Sequence, residues 1–379
     1  MAPSETAQKN SAEEQQSTVE AVKSAVKNVT GGSAASKGEY IRKPLELSGA
    51  LDKYEAFDVT PVIGREFVDA QLTEWLEAEN SDELIRDLAI TISQRGVVFF
   101  RAQDGLTNDL QKKLAHKLGV LTGKPSTSTL HIHPVSNAER ELGGSDNEIS
   151  VISSEQAKKI YYRTPFTLKQ SAAEGWHSDI TFEPIPSDYT ILRLVELPKT
   201  GGDTLWASGY EVYDRLSKPY QKFLESLTAT YAQPGFNKAA ENNGFELYSK
   251  PRGAPENVGT NLEAIHPVIR TNPVTGWKSV FAVGHHVAKI NDLTERESRH
   301  LLNTFRQLIT ENHDLQVRHK WLNENDLAIW DNRSVYHAAT FDYNEKRTGQ
   351  RAVGLGEKPY LDPASVSRRE ALGHDVSVQ

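Results

Sequence analysis

The sequence contains no cysteine and one methionine among its 379 residues. The lack of cysteine excludes disulfides, zinc–thiolate sites, iron–sulfur clusters and cysteine nucleophiles, and it fits a reducing compartment. No run of about 18 apolar residues is present, so we expect no transmembrane helix and no membrane partner. The N-terminal stretch also lacks the apolar core of a secretory signal, which leads us to expect a cytoplasmic protein.

Basic residues are also fewer than acidic ones. The chain carries 43 Lys and Arg against 51 Asp and Glu, a net charge of −8, with a pI near 5.9. Surfaces that bind nucleic acid are typically basic, so we expect no nucleic-acid partner. The hydrophobic share of 37% is sufficient for a core, and the length allows one large domain or two ordinary ones.

The two ends differ from the middle in composition. Residues 1–38 hold few large apolar side chains and are rich in Ser, Ala, Glu, Gln and Lys, which predicts a disordered N-terminal tail. A short amphipathic helix carrying Val19, Val22 and Val26 is the alternative for part of it. We expect one globular domain over residues 39–366 and a C-terminal tail over 367–379.

The globular part is predicted to be mostly β with flanking helices. Many short apolar runs bounded by turn residues favour a sandwich or a jelly-roll barrel. Polar, glycine-rich segments at 138–172 and 233–262 are predicted to be long loops that cover a site or are disordered. The predicted strands are 96–100, 149–153, 189–197, 203–207, 227–232, 264–270, 278–283, 315–321, 326–331, 335–341 and 350–354. The predicted helices are 81–94, 107–118, 210–216, 219–227 and 294–309.

A short pattern, Trp176-His177-Ser178-Asp179, suggests a metal site. In an extended segment alternate residues share a face, so His177 and Asp179 point the same way. Two His and one carboxylate on one side of the metal are the ligands of non-haem iron(II) oxygenases. Alone the pattern is weak, because with 12 His in the chain about 0.6 matches to His-x-Asp arise by chance.

The third ligand must come from a distant part of the chain. His337 is the candidate, 160 residues after His177, and we expect it on a late strand across a barrel from the first two ligands. His131 and His133 form a rival pair, but no suitably placed carboxylate follows them. We therefore expect His133 to contact a substrate and His131 to have a packing or solvent role.

Several motifs together resemble the taurine dioxygenase family of Fe(II)/2-oxoglutarate-dependent oxygenases, and most of all its fungal sulfonate dioxygenase branch. The similarity extends from about residue 55 to about 362, in the same order and at similar spacing. The motifs are HIHPV at 131–135, WHSDITF at 176–182, GGDTLWASG at 201–209, HPVIRTNPVTG at 266–276 and WDNRSVYH at 330–337, followed by Arg347 and Arg351. The resemblance implies a double-stranded β-helix, that is, a jelly roll, and makes residues 39–366 the dioxygenase domain.

The resemblance also implies the cofactors and their ligands. His177, Asp179 and His337 match the iron triad, and they are the catalytic residues of the family. Thr204 and Arg347 match the pair that binds the far carboxylate of 2-oxoglutarate, although Lys346 is a rival for the arginine position. Fe(II), 2-oxoglutarate and O₂ are the implied cofactors, with ascorbate as a supporting reductant.

For the substrate, the resemblance implies a small anion, and a sulfonate above all. Arg351 and His133 match the residues that bind the sulfonate group, and His286 is a further candidate to face the substrate. Ser136 and Ala173 stand where taurine-specific members carry a Tyr and an Asn near the amine. These departures favour a different or broader set of sulfonates than taurine alone.

The implied reaction hydroxylates the carbon next to sulfur and releases sulfite and an aldehyde, with succinate and CO₂. The same chemistry on an alkyl sulfate ester, an aryloxyacetate or another carboxylate metabolite is the alternative. A jelly-roll binding or sensor protein without catalysis is a third hypothesis, which the intact ligand set argues against. A homo-oligomer is a further open alternative, because relatives often form dimers or tetramers.

Overall fold

The structure is a computed structural model that describes residues 40–161 and 172–374. The predicted N-terminal tail, including the valines considered for a short helix, lies outside the described residues. From Arg42 onward the described residues form one compact unit. No helix of the described residues is long and apolar enough to cross a membrane.

Strands and helices alternate irregularly along this unit. The strands are β1 Ala56–Asp58, β2 Arg65–Phe67, β3 Val97–Phe100, β4 Ser150–Ser153, β5 Ser187–Glu196, β6 Thr204–Ser208, β7 Thr228–Ala232, β8 Glu263–Pro267, β9 Ile269–Thr271, β10 Lys278–Val280, β11 Val287–Ile290, β12 Gln316–His319, β13 Leu327–Asp331, β14 Val335–Ala339 and β15 Thr348–Leu355. The helices are α1 Leu72–Glu77, α2 Ser81–Arg95, α3 Asn108–Leu121, α4 Ser154–Tyr161, α5 Gly209–Asp214, α6 Lys218–Leu224, α7 Pro234–Asn243, α8 Glu295–Thr310 and α9 Arg368–Ala371.

The largest sheet has seven strands in the order β1-β2-β3-β13-β5-β15-β4. Its neighbours are antiparallel except β2 and β3, which are parallel. A three-stranded sheet, β12-β6-β14, supplies the opposite wall of the site. A second three-stranded sheet, β11-β7-β8, and a two-stranded sheet, β10-β9, complete the strand pairing. This architecture confirms the sheet-rich fold with helices that the sequence predicts.

Side-chain alternation along β13 separates the two faces of the large sheet. Leu327 and Ile329 pack with α2 and α3 in one apolar cluster. Ala328 and Trp330 point to the other face, where they join Trp206 of β6 in an aromatic core. Because alternate residues of a strand face opposite ways, the layers are helices, large sheet, aromatic core and small sheet. The candidate site lies between the two sheets, at the edge of this core.

Helix α8 covers the outer side of the small sheets. Thr294 accepts a hydrogen bond from the Glu297 backbone N–H, and the Glu297 side chain accepts one from the Thr294 N–H, so the two residues form a capping box. Such a cap stabilises a helix by about 1 kcal/mol. Leu301, Phe305 and Ile309 repeat every four residues and are buried in a second core.

Several segments differ from the sequence prediction. The segments expected to be loops contain the helices α4, within 138–172, and α7, within 233–262, although 162–171 is outside the described residues. Strand β4 confirms the strand predicted over 149–153. The strand predicted over 264–270 is two strands separated at Val268. Helix α9 lies within the predicted C-terminal tail, and Arg368 and Arg369 both donate hydrogen bonds to the Glu211 carboxylate of α5.

Candidate metal centre

The backbones of His177 and His337 are hydrogen-bonded to each other. The His177 N–H donates to the His337 carbonyl at 3.1 Å, and the His337 N–H donates back at 2.8 Å. This antiparallel bridge extends the small sheet beyond β14 and sets the two imidazole centroids 4.3 Å apart. The expectation that His337 lies across a barrel from His177 is therefore wrong, because the two residues are cross-strand neighbours.

Asp179 follows where the chain turns away from this bridge. Ile180 adopts a positive φ of 47°, which ends the extended segment just after the carboxylate. The Asp179 backbone N–H donates to Asn332 Oδ1 at 2.9 Å, and Thr190 Oγ1 donates to Asp179 Oδ2 at 3.1 Å. Arg351 Nη1 donates to Asp179 Oδ1 at 2.6 Å. The aspartate is thus fixed on both its backbone and its carboxylate.

One ligand atom from each of His177, Asp179 and His337 lies within 4.8 Å of the others. Two imidazoles and one carboxylate at such spacing fit one divalent transition metal and leave coordination positions open. The structure therefore brings together the three residues that the sequence singled out. Their donor chemistry fits iron(II), the metal that the resemblance implies.

Protonation states at this centre also suit a metal. Burial lowers the pKa of His177 to about 3 and the pKa of His337 to about 4, so both imidazoles are neutral at neutral pH. Burial raises the pKa of Asp179, but the Arg351 guanidinium and the two histidines outweigh this effect and lower it to about 2. His177 Nδ1 lies 2.9 Å from the Gly175 carbonyl, so Nδ1 carries the proton and Nε2 is left to bind.

Thr204 and Arg347 lie together beside this centre. Arg347 Nη2 lies 3.3 Å from Thr204 Oγ1, and its Nε donates to the Gly202 carbonyl at 2.9 Å. Trp321 Nε1 also donates to Thr204 Oγ1, at 3.2 Å. Arg347 is buried, and within the described ranges no carboxylate lies within 4 Å of its guanidinium. A buried cation without an acidic partner is costly, which indicates a site for an anion.

Arg351 and His133 supply further hydrogen-bond donors near the triad. Arg351 is buried, and its Nε has no hydrogen-bond partner in the described part of the chain. His133 Nδ1 accepts from the backbone N–H groups of Val135 and Ser136, at 3.0 and 2.8 Å. Burial lowers the pKa of His133 well below its usual value, so this imidazole is neutral. With Nδ1 occupied as an acceptor, Nε2 carries the proton and acts as a donor.

His286 and His131 are both buried. His286 Nδ1 lies 3.1 Å from Thr181 Oγ1, and the His286 ring centroid is 5.7 Å from that of His177. The contact between His286 and a substrate stays a prediction. His131 Nε2 lies 3.1 Å from Glu183 Oε1 in a fully buried pair. Burial excludes the solvent role considered for His131 and leaves a structural one, because the ring bonds a carboxylate that is itself paired with Arg252.

Sequence reasoning missed residues that support the ligands. Asn332 accepts from the Asp179 N–H and donates to Thr190 Oγ1 at 2.8 Å, so it orients the Asp179 backbone and the Thr190 hydroxyl that donates to the carboxylate. The Gly284 backbone pairs with His177 on the side opposite His337, in an antiparallel bridge. Gly284 has a φ of 105°, and a Cβ at this position would lie 2.7 Å from the His177 Cα. The sequence offered two signals for these residues: Asn332 lies within the WDNRSVYH motif, and position 284 is a glycine. Neither signal reveals that the residue contacts the backbone of Asp179 or His177.

Comparison with known proteins agrees with this geometry. The family model "Taurine catabolism dioxygenase TauD, TfdA family" matches residues 55–353, so the chain belongs to this family. A Neocamarosporium betae protein, "Alpha-ketoglutarate-dependent dioxygenase btcD", is 55% identical over 344 residues, which cover 87% of this chain and 99% of that protein. The "Alpha-ketoglutarate-dependent sulfonate dioxygenase" of Saccharomyces cerevisiae is 33% identical over 306 residues, covering 80% of this chain and 67% of that protein. The chain is therefore an enzyme, a 2-oxoglutarate-dependent dioxygenase.

A solved structure supports the fold. The crystal structure of a putative alpha-ketoglutarate-dependent taurine dioxygenase from Burkholderia xenovorans superposes with a TM-score of 0.62. It is 24% identical and covers 82% of this chain and 96% of that chain. At this identity the match supports the fold alone.

Proposed function

We propose that this dioxygenase hydroxylates the carbon next to sulfur in an organosulfonate and releases sulfite and an aldehyde. The reaction consumes O₂ and 2-oxoglutarate and forms succinate and CO₂. One oxygen atom enters the substrate C–H bond, and the resulting α-hydroxysulfonate breaks its C–S bond. The observation that carries the proposal is the pair of buried arginines, Arg347 and Arg351, beside a His-Asp-His centre.

His177, Asp179 and His337 are the proposed iron ligands. Iron(II), when bound, supplies the activation of O₂ that no side chain provides. The contribution of the chain is to hold the three ligands in one arrangement before the metal arrives. Thr190 and Arg351 fix the Asp179 carboxylate, Asn332 fixes the Asp179 backbone, and this preorganisation reduces the cost of metal binding.

Arg347 and Thr204 are proposed to bind the far carboxylate of 2-oxoglutarate. A guanidinium matches a carboxylate with two parallel hydrogen bonds, and Arg347 has no acidic partner among the described residues. Its Nε and Nη2 are held by Gly202 and Thr204, so the guanidinium is oriented before the cosubstrate binds. An anion there offsets the cost of the buried charge.

Arg351 and His133 are proposed to bind the sulfonate group. Both are buried, and both present N–H donors, which is what a sulfonate with three acceptor oxygens requires. The S. cerevisiae relative is named a sulfonate dioxygenase, which supports this class of substrate. The proposed fold is a double-stranded β-helix, in which the seven-stranded and three-stranded sheets form the two walls around the site.

The test is a product assay on a panel of candidate substrates. Purified protein receives Fe(II), ascorbate, O₂ and 2-oxoglutarate with taurine, longer alkanesulfonates and aromatic sulfonates. Alkyl sulfates and aryloxyacetates serve as comparison substrates, and the variants His177→Ala and Asp179→Ala serve as inactive controls. Sulfite formed in equal amount to succinate supports the proposal. Succinate without sulfite, formed with an organic product from another anion, transfers the same chemistry to that anion and overturns the sulfonate assignment.

A further inference from the structure

Gln156 is a buried polar residue at the start of α4 that the proposed mechanism does not use. The residue is 3% exposed, and its side-chain Oε1 accepts a hydrogen bond from Ser136 Oγ at 3.2 Å. Its Nε2 is buried and has no hydrogen-bond partner in the described residues. Leaving such a donor unsatisfied costs about 1–3 kcal/mol. A bound ligand with an acceptor atom would remove this cost.

Gln156 lies between the two proposed anion-binding elements. Ser154, two residues earlier, donates its backbone N–H to the Arg347 carbonyl at 3.0 Å. Ser136, the partner of Gln156, donates its own N–H to His133 Nδ1 at 2.8 Å. The start of α4 is therefore hydrogen-bonded to the Arg347 backbone, and the Gln156 carboxamide is hydrogen-bonded to the turn that holds His133.

Two polar groups with unused hydrogen-bonding capacity near this position are donors, whereas the buried Nδ1 of His131 is an acceptor, since the His131 Nε2 donates to Glu183. His133 offers Nε2–H because its Nδ1 already accepts two backbone hydrogen bonds. Arg351 has a buried Nε without a partner in the described residues, and a guanidinium does not accept hydrogen bonds. The neighbouring carboxylates, Asp179 and Glu183, are each paired with an arginine. An ammonium group would meet donors and cations here, whereas an oxyanion would meet complementary charge.

An apolar wall completes the surroundings. The ring centroid of Phe236 is 5.1 Å from that of His133, and Phe182 lies 5.6 Å from Phe236 and 5.2 Å from His286. Ile160, one helical turn after Gln156, belongs to the same apolar cluster as Phe182. These side chains suit the uncharged body of a ligand.

We propose that Gln156 is a specificity-determining residue whose carboxamide N–H₂ donates to an acceptor atom on the substrate. Together with His133 and Arg351 it makes the pocket selective for anions with an apolar or hydroxylated body and against anions that carry an ammonium group. This inference rests on the proposed function and names its substrate class. It separates this chain from a taurine-selective enzyme, since taurine carries an amine.

Three ligands of the same size test the inference. Propane-1-sulfonate, 2-hydroxyethanesulfonate and 2-aminoethanesulfonate place a methyl, a hydroxyl and an ammonium group at one position. Binding is measured by calorimetry on the full chain loaded with Fe(II) and 2-oxoglutarate without oxygen, and kcat/KM is measured in air. We expect the hydroxyl and methyl ligands to bind at least about 10-fold more tightly than the ammonium ligand.

Two variants locate this selectivity at residue 156. Gln156→Glu keeps the shape but replaces the donor with a carboxylate, so we expect the affinity ratio of ammonium to hydroxyl ligand to rise by about 10- to 100-fold. Gln156→Leu removes the donor, and we expect the affinity of the hydroxyl ligand to fall relative to that of the methyl ligand. Gln307→Glu, on the exposed face of α8, adds the same charge away from the site and should leave the ratios unchanged.

The outcomes separate this inference from the proposed function. Tightest binding of the ammonium ligand to the unaltered chain, or unchanged ratios in Gln156→Glu, overturns the role of Gln156 even if sulfite is released. If no sulfonate binds but 2-oxoglutarate is consumed, the sulfonate assignment fails. The same measurements are then made with butyrate, 3-hydroxypropionate and 3-aminopropionate. The same order of the three end groups and the same reversal in Gln156→Glu support the inference for carboxylates, and any other order overturns it.

Discussion

Replacing Arg347 with methionine separates a binding role from a structural one. In the absence of cosubstrate the guanidinium is buried with no carboxylate partner in the described residues, and its two hydrogen bonds go to neutral oxygens. Methionine loses these hydrogen bonds, worth about 1 kcal/mol each, but also removes a buried charge. The two effects oppose each other, so we expect the midpoint of thermal unfolding of the cosubstrate-free protein to change by no more than about 2 °C.

Cosubstrate binding should respond very differently. Truncating one partner of a buried, hydrogen-bonded charge pair costs about 2–5 kcal/mol, so the dissociation constant of 2-oxoglutarate should rise by about 30-fold or more. The stabilisation that 2-oxoglutarate gives the unaltered protein in a thermal-shift assay should disappear in Arg347→Met. Arg347→Lys keeps the charge but loses the two parallel N–H donors of the guanidinium. Its dissociation constant for 2-oxoglutarate should lie between those of the unaltered protein and Arg347→Met.

Calorimetric titration of 2-oxoglutarate into the metal-loaded protein is the assay. The neighbouring Lys346 is exposed, and Lys346→Met is the matched control for the loss of one cation. Unchanged affinity in Arg347→Met together with a large loss of stability would refute the reasoning, because it would make Arg347 a structural residue. Weakened affinity in Lys346→Met instead would favour the rival position.

The remaining predictions concern residues around the ligands. Asn332→Ala should lower metal affinity, measured by titration, by about 10- to 100-fold, because Asp179 loses its backbone acceptor; wild-type affinity would contradict this. Gly284→Ala, which forces a Cβ against the His177 backbone, should also weaken metal binding, whereas Gly244→Ala, with nothing within 4 Å of its Cβ, is the control for a positive φ. Burial raises the pKa of Glu183, but its hydrogen bonds with His131 and Arg252 outweigh this effect, so the pKa in the folded protein lies below the ordinary value of 4.5. The ionised Glu183 therefore stabilises the folded protein above pH 4.5, and this contribution is lost as the pH falls through the pKa of the folded state. The free energy of unfolding of Glu183→Gln should therefore approach that of the unaltered protein in acid, and a constant difference would contradict the pairing.

Local patterns in the sequence predicted most of the strands near the site. Residues of β6 and β14 alternate between buried faces, so Thr204 and Trp206 share one side of β6, and His337 shares its side of β14 with Val335. The His-x-Asp spacing correctly predicted that the His177 and Asp179 side chains lie close together. These are short-range properties, set by the backbone within a few residues, and a single sequence contains them.

Long-range pairing is what the sequence could not supply. The bridge between His177 and His337 joins residues 160 positions apart, and no local pattern tells which strand edge His177 will meet. Helices α4 and α7 were missed because their segments are polar, and their stability comes from contacts with the rest of the chain. Gln156 looked like an ordinary polar residue, since its burial follows from that tertiary packing.

The most direct test of the central claim is a metal titration. The claim is that His177, Asp179 and His337 together hold one iron ion. Anaerobic titration of the full chain with Fe(II), followed by metal analysis after desalting, should give one bound ion per chain. Asp179→Ala should retain its fold by circular dichroism and bind none under the same conditions. One tightly bound iron in Asp179→Ala would contradict the claim, because the metal would then be held elsewhere.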